Sequence, residues 1–94
     1  MIGYLFALEQ RIREAHLRDA FSEHEDPAKR RAVRAFYSLP PFHRSLFWLV
    51  RFEGQSIEQI AVRFDISRSR AELELGRAFR MMYRSMQRQK RKGW

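Results

Sequence analysis

The chain has 94 residues, 45% of them hydrophobic, which suffices for one domain with a modest core and excludes a large buried active site. It contains no cysteine, so a disulfide framework and a thiolate zinc site are excluded. The formal net charge of +8 favours a polyanionic partner, which includes DNA, an anionic membrane surface and an acidic protein.

No apolar run approaches the roughly 20 residues that cross a bilayer. The first residues, MIGYLFALEQ, lack both the preceding basic residue and the cleavage site of a signal peptide. We therefore expect a soluble cytoplasmic protein without a membrane partner.

Residues 2–24 are predicted to form the first helix. Apolar residues recur at an approximate helical period along one side: Ile2, Leu5, Leu8, Ile12, Ala15 and Phe21. Charged residues occupy much of the other side, where Glu14 and Arg18 form a supporting pair four residues apart. The apolar side is expected to pack on the domain, to dimerise or to hold a partner.

A second helix is predicted over residues 27–38, because Asp26 can cap it and Pro27 stands at the first helical position, which proline favours. Its apolar side chains Val33, Phe36 and Tyr37 are expected to point inward. Its basic side chains are expected to point mostly outward: Lys29, Arg30, Arg31 and Arg34. The run Leu39-Pro40-Pro41 ends this helix, since proline disfavours helical geometry in the residue before it.

A third helix is predicted from Pro41 to Glu53, with Gly54 as the C-cap that ends it. It is apolar over most of its circumference, which predicts the most buried helix of the chain. We expect Phe47 and Trp48 to lie in the core rather than to stack on bases.

Residues 56–79, SIEQIAVRFDISRSRAELELGRAF, predict two helices joined by a three-residue turn. Ser56 is a good N-cap, and Gln59 can complete a capping box with it. The apolar face of the first helix is formed by Ile57, Ile60, Ala61 and Phe64. Ser67 can cap the second helix, whose apolar stripe consists of Ala71, Leu75, Ala78 and Met82. This is the shape of a helix-turn-helix, whose second helix enters the DNA major groove, although an αα-hairpin that only completes a core has the same outline.

The predicted fold is therefore all-α, a small bundle of about five helices with a C-terminal helix-turn-helix. Its last helix is expected to continue through Met86, and the tail QRQKRKGW is expected to fray. The basic tail is either an arm on DNA or a solubilising end, and Trp94 has no predicted role.

The run from Leu39 to Phe79 resembles region 4 of bacterial sigma factors, especially those of the extracytoplasmic-function group. The matching residues are Leu39-Pro40-Pro41, Arg44, Glu53-Gly54, Ser56, Glu58, Ile60-Ala61, Ile66-Ser67, Leu75 and Arg77-Ala78. Response-regulator domains of the quorum-sensing type share the later part, and the Leu-Pro-Pro opening favours the sigma family. The resemblance implies contacts with double-stranded DNA at the upstream promoter element and with the flap of RNA polymerase.

Residues 1–38 are too short to be the domain with which sigma factors melt and read the downstream promoter element. We therefore expect residues 1–38 to be a helical segment that packs on the domain or on a partner. Residues 39–94 are expected to be the region-4-like domain with its basic tail. Such a free-standing region 4, or one half of a split sigma factor, would not start transcription by itself.

The predicted DNA-facing surface departs from the resemblance. Family members often carry Thr-Val-Lys-Ser-Arg where this chain has Arg70-Ala71-Glu72-Leu73-Glu74. Two positions that are usually basic are thus acidic, and each carboxylate near the phosphates would be repelled. Glu72 and Glu74 could instead pair with neighbours one turn along the helix.

Eight residues are predicted to contact DNA: Arg68, Ser69, Arg70, Glu72, Leu73, Arg77, Arg80 and Arg84. The first three lie at the N-terminus of the second helix, where base contacts are normally made. Glu72 could accept a cytosine amino group, and Leu73 could touch a thymine methyl or mark a protein-binding surface. Arg77, Arg80, Arg84 and the basic tail are expected to hold phosphates.

An enzyme is not expected. His16, His24 and His43 lie on different predicted segments without matching ligand spacing, and the chain has no glycine-rich phosphate loop. We therefore expect no catalytic residue, metal, cofactor or small-molecule substrate. Two hypotheses follow: a DNA-binding transcription factor that acts with RNA polymerase at promoters, and a protein-interaction module. The second would bind polymerase, an anti-sigma factor or another sigma subunit through Leu73 and the apolar N-terminal helix.

Overall fold

The computed structural model describes residues 2–22 and 26–94, with side chains at residue 5 and from residue 8 onward. This part of the chain forms α1 (Ile2–His16), α2 (Pro27–Ser38), α3 (Pro41–Arg51), α4 (Ile57–Phe64) and α5 (Arg68–Arg91). It contains no strand, and the prediction of an all-α bundle of five helices is confirmed. None of the helices in the described ranges is long and apolar enough to cross a bilayer.

Helix α1 ends at His16, so the prediction that it reaches residue 24 is wrong. Residues 17–22 form turns, in which the Leu17 N–H is shared between the carbonyl oxygens of Arg13 and Glu14 at 3.0 and 3.1 Å. Phe21 has a φ of 61°, which a right-handed helix cannot accommodate. The last two residues of the predicted helix, 23 and 24, lie outside the described residues.

The side of α1 that packs on the domain is polar. Gln10 and Glu14 are each 2% exposed, whereas the side chains of the predicted apolar side, Leu5, Leu8, Ile12 and Ala15, are exposed. Gln10 Nε2 donates to Ser38 Oγ at 3.1 Å and to the Met81 carbonyl oxygen at 3.0 Å. Packing of this apolar side on the domain is therefore wrong for these four side chains. Phe21, the last residue of the predicted side, is half-buried and stacks on Tyr37 of α2 with the ring centroids 5.6 Å apart. The side chain of Ile2 lies outside the described residues.

Helix α2 begins as predicted. The Asp26 side chain accepts a hydrogen bond from the Ala28 N–H at 2.9 Å, and Pro27 is the first helical residue. Its C-terminus also agrees with the prediction, because the helix ends at Ser38 before Pro40 and Pro41.

Arg34 of α2 is buried, although it was predicted to point outward. Its Nε donates to the Ala20 carbonyl oxygen at 2.8 Å, and its Nη1 donates to the Trp94 main-chain oxygen at 2.9 Å. Desolvation by this burial lowers the pKa of the Arg34 guanidinium. Tyr37, predicted to point inward, is exposed, so α2 is rolled relative to the prediction.

Helix α3 is shorter and less buried than predicted. It ends at Arg51, and Gly54 follows with a φ of 64° in the turn closed by the Gln55 N–H bond to the Leu49 oxygen at 3.0 Å. Trp48 is 47% exposed, so its predicted core position is wrong, and Phe47 is half-buried. The molecule measures only 16 Å along its shortest axis, which leaves room for two layers of helices and exposes the outer side of α3.

Helix α5 continues to Arg91, five residues beyond the predicted end at Met86. Ser85 and Gln89 are buried there, and Gln89 Nε2 donates to the Arg31 carbonyl oxygen at 2.9 Å. The chain then turns back, because the Trp94 N–H bonds to the Gln89 oxygen at 2.9 Å. The tail predicted to fray is therefore helical through Arg91 and packs on α2.

Helix α5 supports two apolar clusters, one on each half. Toward its C-terminus, Met81 and Met82 pack with Ala35 and Leu39. Toward its N-terminus, Ala71 packs with residues of α3 and α4: Leu46, Leu49 and Ile60. Arg68, Ser69 and Arg70, which precede Ala71 at the start of α5, are exposed.

Candidate nucleic-acid interface

Both helices of the helix-turn-helix have the predicted N-caps. The Ser56 N–H donates to Gln59 Oε1 at 2.8 Å, and the Gln59 N–H donates to Ser56 Oγ at 3.1 Å, which completes the capping box. Asp65 has a φ of 53° and ends α4. Ser67 Oγ accepts the Arg70 N–H at 3.0 Å and begins α5.

Helices α4 and α5 cross closely over their small residues. Ala71 is fully buried against Ile60, and Ala61 packs against the same cluster. Leu75 is partly buried there, so the predicted apolar stripe of α5 is confirmed. The crossing packs the N-terminal half of α5 against α4, and the opposite side of α5 faces outward.

The structure brings the predicted DNA-contact residues to the outer side of α5, with one difference. Seven of them are exposed: Arg68, Ser69, Arg70, Glu72, Leu73, Arg80 and Arg84. Arg77 is half-buried. Arg80 and Arg84 form no ion pair within the described part of the chain.

Arg68 lies between two exposed carboxylates. Its Nη1 is 2.7 Å from Glu58 Oε1 of α4, and its Nε is 3.2 Å from Glu72 Oε1 of α5. Glu72 therefore pairs one turn back along the helix, which is the alternative that the sequence left open. These pairs are exposed to solvent and hold the guanidinium only weakly.

Glu74 is 3% exposed and does not belong to the DNA-facing surface, where the sequence analysis placed it. Its Oε2 lies 2.9 Å from Nε2 of His43, which is 1% exposed. Its Oε1 accepts a hydrogen bond from Arg77 Nη1 at 2.5 Å. The spacing contained this signal, since Glu74 follows the buried Ala71 by three residues and thus shares its side of the helix.

Burial lowers the pKa of His43, because the interior disfavours the charged imidazolium. The Glu74 carboxylate opposes the shift by attraction and hydrogen bonding, and Arg77 adds to it by repulsion. The net direction favours a neutral imidazole that donates through Nε2 to Glu74.

A protein-family model described as sigma-70, region 4, matches residues 29–82, which is more than half of the 94 residues. The chain belongs to the sigma-70 region 4 family. The resemblance to region 4 is thereby confirmed, whereas the extracytoplasmic-function type and the free-standing state stay predictions. The matched range contains α4, the turn and the first part of α5, which continues beyond the match to Arg91. Searches of curated proteins and of solved structures found no match.

Region 4 is a DNA-binding domain of transcription and not an enzyme family. This supports a sigma-factor-like DNA-binding role in transcription for the domain. Among the described residues, no three His, Asp or Glu side chains are grouped so that they could hold a metal ion. The division of the chain at residue 39 stays a prediction.

A basic groove that the sequence analysis missed lies between α1 and the C-terminal half of this region 4 domain's last helix. It is lined by Arg11, Tyr83, Arg84, Gln87, Arg88 and Arg91. Arg11 of α1 lies beside the arginines of α5 because Gln10 and Glu14 pack α1 on α5. Residues close together in the sequence do not show how these two helices align, so the groove could not be predicted.

An apolar groove of about 380 Å³, also missed, lies between α2 and α3. Its lining includes Phe36, Phe47, Trp48 and Phe52, and the Trp48 and Phe52 rings lie 4.6 Å apart. Trp48 and Phe52 are exposed, so this groove presents aromatic surface on a side of the domain formed by α2 and α3.

Proposed function

We propose that this region 4 domain reads double-stranded DNA at promoters together with RNA polymerase, with the N-terminus of α5 in the major groove. The observation that carries the proposal is the exposed first turn of α5, supported by the buried crossing of Ala71 over Ile60. A recognition helix must be held rigidly by its partner helix while its own N-terminal side chains stay accessible to base edges.

Arg68, Ser69 and Arg70 are the proposed base-reading residues. An arginine side chain can donate two hydrogen bonds to guanine O6 and N7. Arg68 is held by exposed carboxylates, which solvent and DNA can replace at small cost. Leu73 and Glu72 are also exposed, and we propose that Leu73 contacts a thymine methyl and that Glu72 accepts a cytosine amino group.

Arg80 and Arg84 are the proposed phosphate contacts. Both are exposed, and neither has an ion-pair partner among the described residues. Each cation that neutralises a phosphate releases counterions, so these residues supply the part of the affinity that falls with salt.

The aromatic groove between α2 and α3 is the proposed contact with RNA polymerase. Exposed Trp48 and Phe52 are of the residue types that dominate protein interfaces. The groove is formed by α2 and α3, whereas the proposed base contacts lie on the first turn of α5. Polymerase and duplex would thus use different helices of the domain.

The second candidate is a protein-interaction module with little reading of DNA sequence, such as a sigma mimic or a partner of an anti-sigma factor or another sigma subunit. It is favoured by the neutralisation of Arg68 by Glu58 and Glu72. The exposed apolar residues Leu5 and Ile12 of α1 also favour it, because such stripes pack against other helices.

The two candidates differ in DNA binding across a salt series, measured on a random duplex and on a pool enriched by selection. The proposed function predicts an enriched motif and a log–log slope that corresponds to about 4 or more released counterions. Arg68→Ala with Arg70→Ala should then abolish the preference for the motif. The matched control is Lys29→Ala with Arg51→Ala, which removes the same charge from α2 and α3 and should keep the preference. Weak binding without a motif contradicts the proposed function and favours the interaction module.

A further inference from the structure

Glu74 is a buried carboxylate whose oxygens both have basic partners. His43 of α3 contacts Oε2 at 2.9 Å, and Arg77 donates to Oε1 at 2.5 Å. Arg70 Nε lies 3.8 Å from the same Oε1. One interior group thus joins α3 to two of the arginines on the helix that is proposed to read DNA.

We propose that Glu74 is a positioning residue for DNA recognition: held by His43, it sets the roll of α5 and withdraws Arg77 from the phosphates. The inference rests on the proposed function and deepens it, because it states which arginines of α5 bind the duplex and why.

The withdrawal of Arg77 follows from burial. Glu74 is 3% exposed, so water cannot replace the Arg77 guanidinium if that side chain swings toward a phosphate. The departure would leave a carboxylate oxygen in the interior without its hydrogen bond, which costs far more than breaking a surface pair. Arg68 differs in this respect, since its partners Glu58 and Glu72 are more than half exposed at 59% and 55%.

The roll of α5 follows from the direction of the hydrogen bond. At its crossing with α4, α5 contributes the fully buried Ala71 and the partly buried Leu75, and apolar contacts of this kind are non-directional and tolerate small sliding and rotation. The bond between His43 and Glu74 tolerates neither, because both groups are buried and its geometry is narrow. It therefore selects the orientation in which Ser69 and Arg80 face outward.

The proposal removes Arg77 from the phosphate contacts that the sequence predicted. Arg77 was expected to act with Arg80 and Arg84, but it is committed to Glu74. Arg70 lies farther from the carboxylate, at 3.8 Å, and its side chain is 58% exposed, so it keeps access to the groove.

The first test compares Arg77→Ala with Arg80→Ala, two removals of the same charge from the same helix. The slope of log affinity against log salt on a random duplex should fall by about 0.9 for Arg80→Ala, which loses one phosphate contact, and should stay at the wild-type value for Arg77→Ala. An equal fall in both variants overturns the inference.

The second test uses Glu74→Gln, which keeps the size of the side chain and removes its charge. Arg77 should then be released to the phosphates, so the slope should steepen by about 0.9. The ratio of affinities for the selected and random duplexes should fall about tenfold, the equivalent of one lost base contact. Glu53→Gln, which changes the net charge equally at an exposed position after α3, should keep both values. Wild-type slope and ratio in Glu74→Gln overturn the inference.

Urea unfolding of Glu74→Gln shows whether the variant is folded, and therefore whether a change in its DNA binding reports the position of α5 or the loss of the fold. If Glu74→Gln does not fold, the comparison of Arg77→Ala with Arg80→Ala decides the question. A wild-type protein that shows no salt-dependent DNA binding contradicts the proposed function, and the inference fails with it. A wild-type protein that selects a motif, with equal slopes in the two arginine variants, overturns the inference alone.

Discussion

Glu14 of α1 accepts two hydrogen bonds from Arg88 of α5, from Nε to Oε1 at 3.1 Å and from Nη2 to Oε2 at 2.8 Å. The pair is almost fully buried, with side-chain exposures of 2% and 13%. Fork-to-fork geometry satisfies both carboxylate oxygens and fixes the direction of approach. The first helix is thus attached to the last by its polar side, and its apolar side is left on the surface.

Glu14→Gln should destabilise the domain, whereas Leu5→Asp should not. Removal of the buried carboxylate leaves Arg88 with an uncompensated charge, which costs about 3 kcal/mol of unfolding free energy. Leu5 is 60% exposed, so its replacement should change that free energy by no more than about 0.5 kcal/mol. Urea unfolding followed by circular dichroism measures both, and greater destabilisation by Leu5→Asp would contradict the observed orientation of α1.

Glu72→Lys and Glu74→Arg should differ in their effect on stability, although both bring the sequence of α5 closer to the family pattern. Glu72 is exposed, so Glu72→Lys should leave stability nearly unchanged and strengthen binding to random duplex. Glu74→Arg places a cation in the interior beside His43 and Arg77, and should lower the unfolding free energy by at least about 3 kcal/mol. Denaturant midpoints and DNA titrations of the two variants make the comparison, and a stable Glu74→Arg protein would show that position 74 is not buried.

Stability should depend on pH through His43. Its pKa is lower in the folded protein than its usual value of 6.5, so between these two values the unfolded chain binds the extra proton. The stabilising contribution is therefore fully present above pH 6.5 and is lost as the pH falls through the pKa of folded His43. The charged groups that face the ring are Glu74 and Arg77 of α5.

The measurement is the unfolding free energy across the mildly acidic range, compared between the wild type and His43→Gln. Glutamine can still donate to Glu74 but does not titrate, so the difference between the two curves isolates this histidine from His16 and His24. If the two plots of unfolding free energy against pH are parallel, His43 does not cause the pH dependence of stability.

Arg34→Ala should lower the unfolding free energy by about 2 kcal/mol, because it leaves the Ala20 carbonyl oxygen without its charged donor and leaves the Trp94 main-chain oxygen with only the bond from Arg30 Nε at 3.1 Å. Lys29→Ala, an exposed position on the same helix, should change it by less than about 0.5 kcal/mol. Thermal or urea unfolding of both variants measures the two changes in unfolding free energy. Equal stability would mean that Arg34 does not hold the end of the chain on α2.

Trp48→Ala should weaken the capture of RNA polymerase core enzyme and leave DNA affinity at the wild-type value. Removing an anchor of this size from an interface costs about 2 kcal/mol, or roughly thirtyfold in affinity. Leu5→Asp, which alters exposed apolar surface on α1 instead, serves as the control. Loss of polymerase binding in the control but not in Trp48→Ala would move the polymerase contact from the α2–α3 groove to α1.

The sequence by itself determined the parts of the fold that depend on neighbours along the chain. The capping box of Ser56 with Gln59 and the caps at Asp26 and Ser67 are formed by residues within three positions of each other, so their chemistry is readable locally. The apolar stripe beginning at Ala71 predicted the crossing of α4 and α5 for the same reason. The resemblance to sigma-70 region 4 rested on this local pattern and is confirmed.

Only the tertiary structure decided which side of each helix meets another. Helix α1 turns its polar side inward because Glu14 finds Arg88, which is 74 residues away in sequence. Arg34 is buried because distant carbonyl oxygens accept its hydrogen bonds, and Trp48 is exposed because a two-layer body has no third layer to cover it. Periodicity measures how apolar a helix side is, whereas burial of a polar side chain depends on a partner that folding brings within hydrogen-bond distance.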